Sequence, residues 1–314
     1  MGRRILISGL GGSLFPYLND KLVEKNYDIY YVDSNPELKF IYPNLKLYIS
    51  PLVTEKKYLD FITTLIKKHQ INIYVPLIDE ELIVAKNIEE LIPNLKVLIP
   101  SKSFIELCLN KFDLMNKLNQ LEISITKSYI SSNFNWQIPP PVFLKPNIGR
   151  GSRGIKKVFS KSQYQIYKEE NFGKGDILIQ PIFSGIEYTV GVLSNPNNKI
   201  ISISPKRVIR KNGITINAVT ENNTIIDKLA IEITKHLEPR GPFNIQLFVT
   251  KENRPIVFEI NPRFSTTLVL SIEAGIDEVD LLVNNYSIQN PKQYYAKEGV
   301  YLYRNWNNNF YKKN

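Results

Sequence analysis

Two short runs in the last third of the chain hold the residues best suited to chemistry. They are FNIQLFV (243–249) and PIVFEINPRF (255–264), joined by the polar stretch TKENR. Both runs are rich in β-branched and aromatic residues, so they read as two strands of a hairpin. A hairpin symmetric about Glu252 and Asn253 sets Gln246 opposite Glu259 and Asn244 opposite Asn261. Opposed Cβ atoms in a ladder lie roughly 4.5–5.5 Å apart, and strand alternation puts all four side chains on one face. Phe243, Leu247, Val257 and Phe258 are expected to supply the apolar packing. A carboxylate buried among amide oxygens needs a cation or a donor. Magnesium takes such hard oxygen ligands, usually one or two carboxylates completed by substrate phosphates. Arg263 follows directly, and its guanidinium suits a phosphoryl or acyl-phosphate oxygen. An ordinary hairpin with a polar outer face would show the same residues, so the reading needs a phosphate site elsewhere in the chain.

FLKPNIGRGSRGI (143–155) offers one. A strand ends in Lys145, and Gly149, Gly151 and Gly154 follow, with Arg150, Ser152 and Arg153 between them. Glycines leave backbone N–H groups free to wrap anionic oxygens, and Lys145 adds positive charge at the base of the loop. The lysine precedes the glycines, so this is not the P-loop pattern. Further on, ILIQPIFSGIEYTVGVL (177–193) reads as strand, irregular link, strand. Pro181 ends the first ladder and exposes backbone groups. These can pair with an adenine edge, the Phe183 N–H among them, and Glu187 can accept from ribose hydroxyls. An edge-strand break with a surface glutamate is the plainer alternative.

The elements that must position these loops fall into two parts. Residues 3–8, 28–32, 71–75 and 96–99 read as strands, alternating with helical patterns that include 55–69 and 80–91. This predicts a small parallel sheet covered on both faces. After Pro100, a helix over 101–120 leads into β-rich sequence, interrupted by helices over 223–237 and towards the end of 271–286. In the first part GLGGS follows a strand and Asp33 ends the next, which imitates a dinucleotide-binding turn. Leu14 occupies the last glycine position, so the fingerprint is incomplete. A dinucleotide-dependent oxidoreductase using this loop remains one alternative, and a non-catalytic nucleotide-binding protein is another.

Composition excludes much else. The single cysteine, Cys108, rules out an internal disulfide, and the two histidines, His69 and His236, form no ligand-spaced pair. The net charge of +10 is uneven: residues 1–100 carry 12 basic and 12 acidic residues, leaving 28 and 18 for the remainder. With no basic–aromatic helix and no nucleic-acid motif, a polyanionic small molecule is the expected partner rather than nucleic acid. The apolar start MGRRILISGLGGSLFPYL is broken by glycines and Pro16, and no run reaches the ~20 apolar residues of a membrane span. A cytoplasmic protein without membrane partners is expected.

Together these segments resemble the ATP-grasp superfamily, most closely single-copy relatives of the carbamoyl-phosphate synthetase large subunit. The resemblance covers about residues 101–290, in the order LNKFDLMNKL, KPNIGRGSRG, QPIFSGIE, NIQ and EINPRFS. It implies a Rossmann-like parallel α/β domain (1–100), then a two-subdomain ATP-grasp fold with antiparallel sheets (101–314), its lid spanning about 142–185. It further implies that Lys111 and Lys145 contact nucleotide phosphates and that Gly149, Arg150, Gly151 and Ser152 close over them. Gln180, Pro181, Ile182 and Phe183 would frame adenine, and Glu187 would hold ribose. Gln246, Glu259 and Asn261 would ligate two Mg²⁺ ions, with Mn²⁺ a substitute, while Asn244 and Arg263 would be catalytic and face the transferred phosphoryl group. Lys206, Arg207 and Arg210 fall where such enzymes place further substrate contacts. The implied activity is an ATP-dependent carboxylate–amine ligase acting on small molecules, with a homo-oligomer compatible. There are two departures: Gln180 stands where many members have Glu, and Gln246 where many have Asp or Glu, the second being the carbamoyl-phosphate-synthetase-like form that narrows the subgroup. With one copy and no nucleophilic cysteine turn, carbamoyl phosphate synthesis by this chain is not implied.

Overall fold

The structure, a computed structural model, describes residues 2–10, 12–149 and 154–305. Its first sheet is fully parallel: β1 (Arg4–Ser8), β2 (Asp28–Asp33), β3 (Leu47–Ile49), β4 (Ile73–Val75) and β5 (Lys96–Val97), in the order β3-β2-β1-β4-β5. The central strands are apolar on both faces because both are covered. Ile5, Ile7, Ile29 and Tyr31 point to one side. Leu6, Tyr30, Val32 and Tyr74 point to the other, against helices Lys57–His69 and Leu82–Leu91.

A four-stranded antiparallel sheet follows: β6 (Tyr129–Ile130), β7 (Val142–Pro146), β8 (Lys156–Val158) and β9 (Ile177–Pro181), ordered β6-β9-β7-β8. Helix Lys161–Glu170 covers it through Tyr164 and Tyr167, which join an aromatic cluster with Phe134 and Trp136. The third and largest sheet contains β10 (Ile186–Ser194), β11 (Ile200–Asn212), β12 (Ile214–Thr220), β13 (Pro242–Val249), β14 (Pro255–Asn261), β15 (Tyr294–Tyr295) and β16 (Tyr301–Tyr303). Its main path is β14-β13-β10-β11-β12-β16, with β15 beside β11. One face packs Val190, Val192, Phe243, Ile245 and Leu247 against helix Thr224–Leu237 and the helices of residues 102–120. The parallel front sheet and the antiparallel sheets behind it are the architecture expected from the sequence.

The front sheet does not stand apart. Its Ile5, Ile7, Leu10 and Leu14 share one core with Phe264, Leu268, Val279 and Leu282 from the end of the chain. Ion pairs Arg3–Asp280 and Lys25–Asp277 edge this junction. Leu10 and Leu14 turn into that core, so the N-terminal glycine turn is apolar where a dinucleotide site needs close backbone approach.

Two local expectations change. The helix over 101–120 is two helices, Lys102–Leu109 and Lys111–Gln120, split at Asn110. Asn110 adopts an extended conformation, and its side chain accepts from the Asp113 N–H as an N-cap. The strand at 200–204 runs on to Asn212. The helix expected towards the end of 271–286 is Glu278–Asn285, set off from helix Leu268–Glu273 at Gly275, φ +92°.

Candidate active site

A cleft of about 580 Å³ lies between the four-stranded and the large sheet. From the smaller sheet come Phe143, Lys145, Gln180 and Pro181; from the larger come Glu187, Thr189, Lys211, Asn244, Gln246, Phe248, Phe258, Glu259 and Asn261. Lys111, Gly149, Phe183 and Arg263 complete the convergence. Ile182 sits between Pro181 and Phe183 in the chain but is not among the residues lining the cleft. Arg150, Gly151 and Ser152 lie outside the described residues.

The hairpin register is the one the sequence predicts at the site: Asn244 pairs with Asn261 and Gln246 with Glu259. Its outer half differs. Leu247 pairs with Val257 and Val249 with Pro255, so Phe258 is an extra residue, a β-bulge. The bulge corrects one expectation: Phe258 does not pack in the core but lines the cleft beside Glu259, its ring 5.0 Å from that of Phe248. Val257 and Ile260 on either side are buried.

The amides are oriented by one another. Asn261 Nδ2 donates to Asn244 Oδ1 at 3.2 Å, which leaves Asn261 Oδ1 for the cleft. Asn244 Nδ2 donates to the Arg263 carbonyl at 3.0 Å. Both ends of the Asn244 amide are therefore engaged, and this side chain, 2% exposed, positions Asn261 and Arg263 rather than reaching outward. Arg263 is held in turn by Asp79, Nε to Oδ1 at 2.5 Å and Nη2 to Oδ2 at 3.3 Å. Asp79 opens a short 3₁₀ turn whose third residue, Glu81, is wholly buried and accepts hydrogen bonds from the hydroxyls of Ser8, Tyr58 and Tyr74.

Two buried ammonium groups face the same space. Lys111 begins its helix, donates to the Gly149 carbonyl at 2.5 Å, and is pushed down in pKa by burial. Lys145 donates to the Phe258 carbonyl at 3.2 Å and lies 3.8 Å from Glu259. Burial lowers its pKa to about 8, against the opposing pull of Glu259. Glu259 is thus the one carboxylate that both lysines feel, which leaves net positive charge where an anion can bind.

Sequence reasoning missed several participants. Asn147 ties this corner together: its Oδ1 accepts from the Phe112 N–H at 2.8 Å and its Nδ2 donates to Asn110 Oδ1 at 2.9 Å. Its signal was its place in the KPN run ahead of the glycines. Lys211, near the end of β11, donates to Glu187 Oε1 at 2.6 Å and Gln246 Oε1 at 3.2 Å, joining side chains of β10 and β13. Its only signal was an unbroken strand pattern beyond Pro205. Gln180 Nε2 donates to Ser128 Oγ at 2.8 Å. At Gly185, in the link from β9 to β10, a Cβ would meet the Val249 carbonyl oxygen at 2.8 Å, so only glycine allows this close passage. Lys206, Arg207 and Arg210 are not among the residues lining the cleft. Lys206 is fully buried beside Glu278 at 3.8 Å, Arg207 pairs with Glu221, and Arg210 lies over Tyr303.

The donor set fits a hard divalent cation held jointly with phosphates. Gln246, Glu259 and Asn261 offer two amide oxygens and one carboxylate on one face. Among the described residues no group of three or more His, Cys, Asp or Glu could hold a metal by itself.

Comparison with known proteins defines the class. Residues 174–308 match the family described as ATP-grasp in the biosynthetic pathway with Ter operon, and residues 5–99 match the PylC-like N-terminal domain. The fold is that of an L-amino acid ligase from Bacillus licheniformis, TM-score 0.71, 16% identical, over 91% of this chain and 74% of that one. It is also that of the biotin carboxylase domain of Hydrogenobacter thermophilus 2-oxoglutarate carboxylase, solved with MgADP and bicarbonate. There the TM-score is 0.78 at 14% identity, over 96% and 73% of the two chains. In sequence, the carbamoyl phosphate synthase large chain of Saccharolobus solfataricus is 26% identical over 218 residues, 63% of this chain. The chain spans about one fifth of that protein's length, 20%.

The protein is thus built as an ATP-grasp domain behind a PylC-like front domain. Each part is similar to its family model, ATP-grasp over 174–308 and PylC-like over 5–99, and the weaker likeness to the carbamoyl phosphate synthase large chain agrees with them.

Proposed function

We propose that the protein uses ATP and Mg²⁺ to convert a small-molecule carboxylate to an acyl phosphate, which an amine then attacks to give an amide-type bond. The observation that carries this reading is the shared face of Gln246, Glu259 and Asn261 opposite the buried Lys111 and Lys145. A cation there needs phosphate oxygens, and the two lysines need an anion. Lys111, Lys145 and Gly149, with Arg150, Gly151 and Ser152, bind the phosphates. Gln180, Pro181, Ile182 and Phe183 frame adenine, and Glu187 holds ribose once Lys211 yields it. Two Mg²⁺ ions, replaceable by Mn²⁺, would polarise the phosphoryl oxygens as Lewis acids. Arg263, steadied by Asn244 and Asp79, stabilises charge on the transferred group. The front domain ends near residue 100, the ATP-grasp part fills 101–314, and the lid spans about 142–185.

No described helix is long and apolar enough to cross a membrane. The reading places the enzyme in the cytoplasm, acting on small molecules without nucleic acid or membrane partners, as a monomer or homo-oligomer. The test is ADP release from Mg-ATP across a panel of carboxylates, alone and paired with amines. ADP formation that needs both partners and yields an amide supports the reading; ADP without amide would reduce it to a kinase. Fluorescence changes with NAD(P) but not Mg-ATP would replace it.

A further inference from the structure

The edge of the four-stranded sheet fixes which end of one amide meets the cleft. Gln180 pairs with Phe143, and both line the cleft, on the face away from Leu144 and Ile179 in that sheet's own core. On the other side β6 pairs with β9, Tyr129 opposite Ile179, which brings Ser128 beside Gln180. Ser128 Oγ donates to the Thr126 carbonyl at 2.9 Å. A hydroxyl has one proton to give, so towards Gln180 this oxygen can only accept, and its partner at 2.8 Å is Nε2. Turned the other way, the amide would either set oxygen against oxygen or draw the hydroxyl off Thr126. Among the described residues no other group donates to that carbonyl, and Thr126 is 2% exposed. A buried carbonyl left unpaired loses its water with nothing in return, so the first arrangement wins.

Gln180 Oε1 is the end left over. Among the described residues nothing donates to it, and it is not one of the polar atoms shut off from solvent. It therefore meets the cleft as a pure acceptor. A carboxylate at this position would show an oxygen whichever way it turned, whereas an amide shows oxygen at one end and N–H at the other. Glutamine at position 180 thus needs a neighbour to choose its direction, and Ser128 is that neighbour.

We propose that Ser128 is a positioning residue for nucleobase selection: by holding the Gln180 amide in one sense, it makes this point of the cleft accept a purine 6-amino group and turn away a 6-oxo group. The proposal rests on the ligase reading for the place of the base beside Gln180, Pro181 and Phe183. A 6-oxo purine would bring oxygen against oxygen and leave both unpaired. Ser128 itself touches no nucleotide; it acts through Gln180.

Calorimetric titration of the full chain with Mg-ADP and Mg-IDP tests this. The two nucleotides differ at purine position 6 and in the proton on N1, and the N1 difference is the same for every variant. Wild type should bind ADP about 100-fold or more tighter than IDP. Ser128→Ala frees the amide to turn and should shrink that ratio about fivefold or more. A general loosening of the strand would instead weaken both nucleotides and keep the ratio. Adding Gln180→Glu to Ser128→Ala should restore the preference for ADP, because a carboxylate needs no neighbour to orient it. The inference is overturned if wild type binds the two nucleotides alike or if Ser128→Ala keeps the wild-type ratio. It is equally overturned if the double variant stays as permissive as Ser128→Ala. Wild type that binds neither nucleotide would sink the ligase reading itself, and this role of Ser128 with it.

Discussion

Asp79 and Arg263 are 184 residues apart in the chain, yet their side chains meet at 2.5 Å and 3.3 Å. Asp79 belongs to the turn after the fourth strand of the front sheet, and Arg263 to the end of the metal-side hairpin. On the proposed function the contact makes the front domain part of the reaction centre, because it fixes the Arg263 guanidinium that this reading sets against the transferred group. Asp79→Asn should therefore lower kcat by about 10²-fold through misplacement of Arg263. The KM for ATP should stay within about twofold, since adenine and ribose are held elsewhere. Steady-state ADP release checks this; a rise in KM with unchanged kcat would refute it.

Glu259 offers the single carboxylate of the donor set. Glu259→Gln keeps its shape and removes its charge, and should cut ADP release by about 10²-fold or more. Circular dichroism should show an unchanged fold. Chelation by EDTA should abolish wild-type turnover, and added Mg²⁺ should restore it. Near-normal turnover in Glu259→Gln would dissolve the metal assignment.

Lys206 and Glu278 form a buried pair, 0% and 3% exposed at the side chain, with Ser271 Oγ donating to the carboxylate at 2.6 Å. Lys206→Met strands Glu278 and should cost about 3–5 kcal/mol of stability. The double change Lys206→Met with Glu278→Gln should recover more than half of that. Urea unfolding of Lys206→Met, Glu278→Gln and the double variant measures the coupling, and additive losses would contradict it.

Glu81 gives a pH signature. Burial pushes its carboxyl above the usual value of 4.5, although three hydroxyl donors favour the ionised form. The native state thus keeps its proton where the unfolded chain has lost it, so this group's contribution falls as pH rises above 4.5. Glu81→Gln removes that slope. Relative to wild type, the variant should gain stability with rising pH, by at most about 1.4 kcal/mol per unit. Denaturation curves from pH 4 to 8, on the order of five points, test it; a constant difference would exclude the effect.

Much of the site could be read from the chain because its key pairs are local. Asn244 with Asn261 and Gln246 with Glu259 follow from strand parity across a short turn. Lys145 with its glycines and Pro181 with Glu187 are contiguous in sequence. What escaped reading was either an interruption of local pattern or a long-range meeting. Asn110 splits a helix that periodicity alone continues, because its cap is completed by Asn147 from another element. Lys211 looked like one more surface lysine until β10 and β13 placed Glu187 and Gln246 beside it. Arg263 was read as facing phosphate, but no spacing rule links it to Asp79. The glycine turn at 9–12 misled in the other direction, since its neighbouring leucines serve packing.

The extra residue at Phe258 has a wider consequence. A regular strand would allow only every second side chain to face the cleft, so an aromatic ring and a carboxylate there could not be neighbours in sequence. The bulge resets the count halfway along, so Phe258 and Glu259 look the same way while Val257 and Ile260 look the other. It also absorbs the odd length of the turn at Thr250–Arg254. That turn can therefore change by a residue in related chains, provided the bulge changes with it, without sending the acid into the oily side of the sheet.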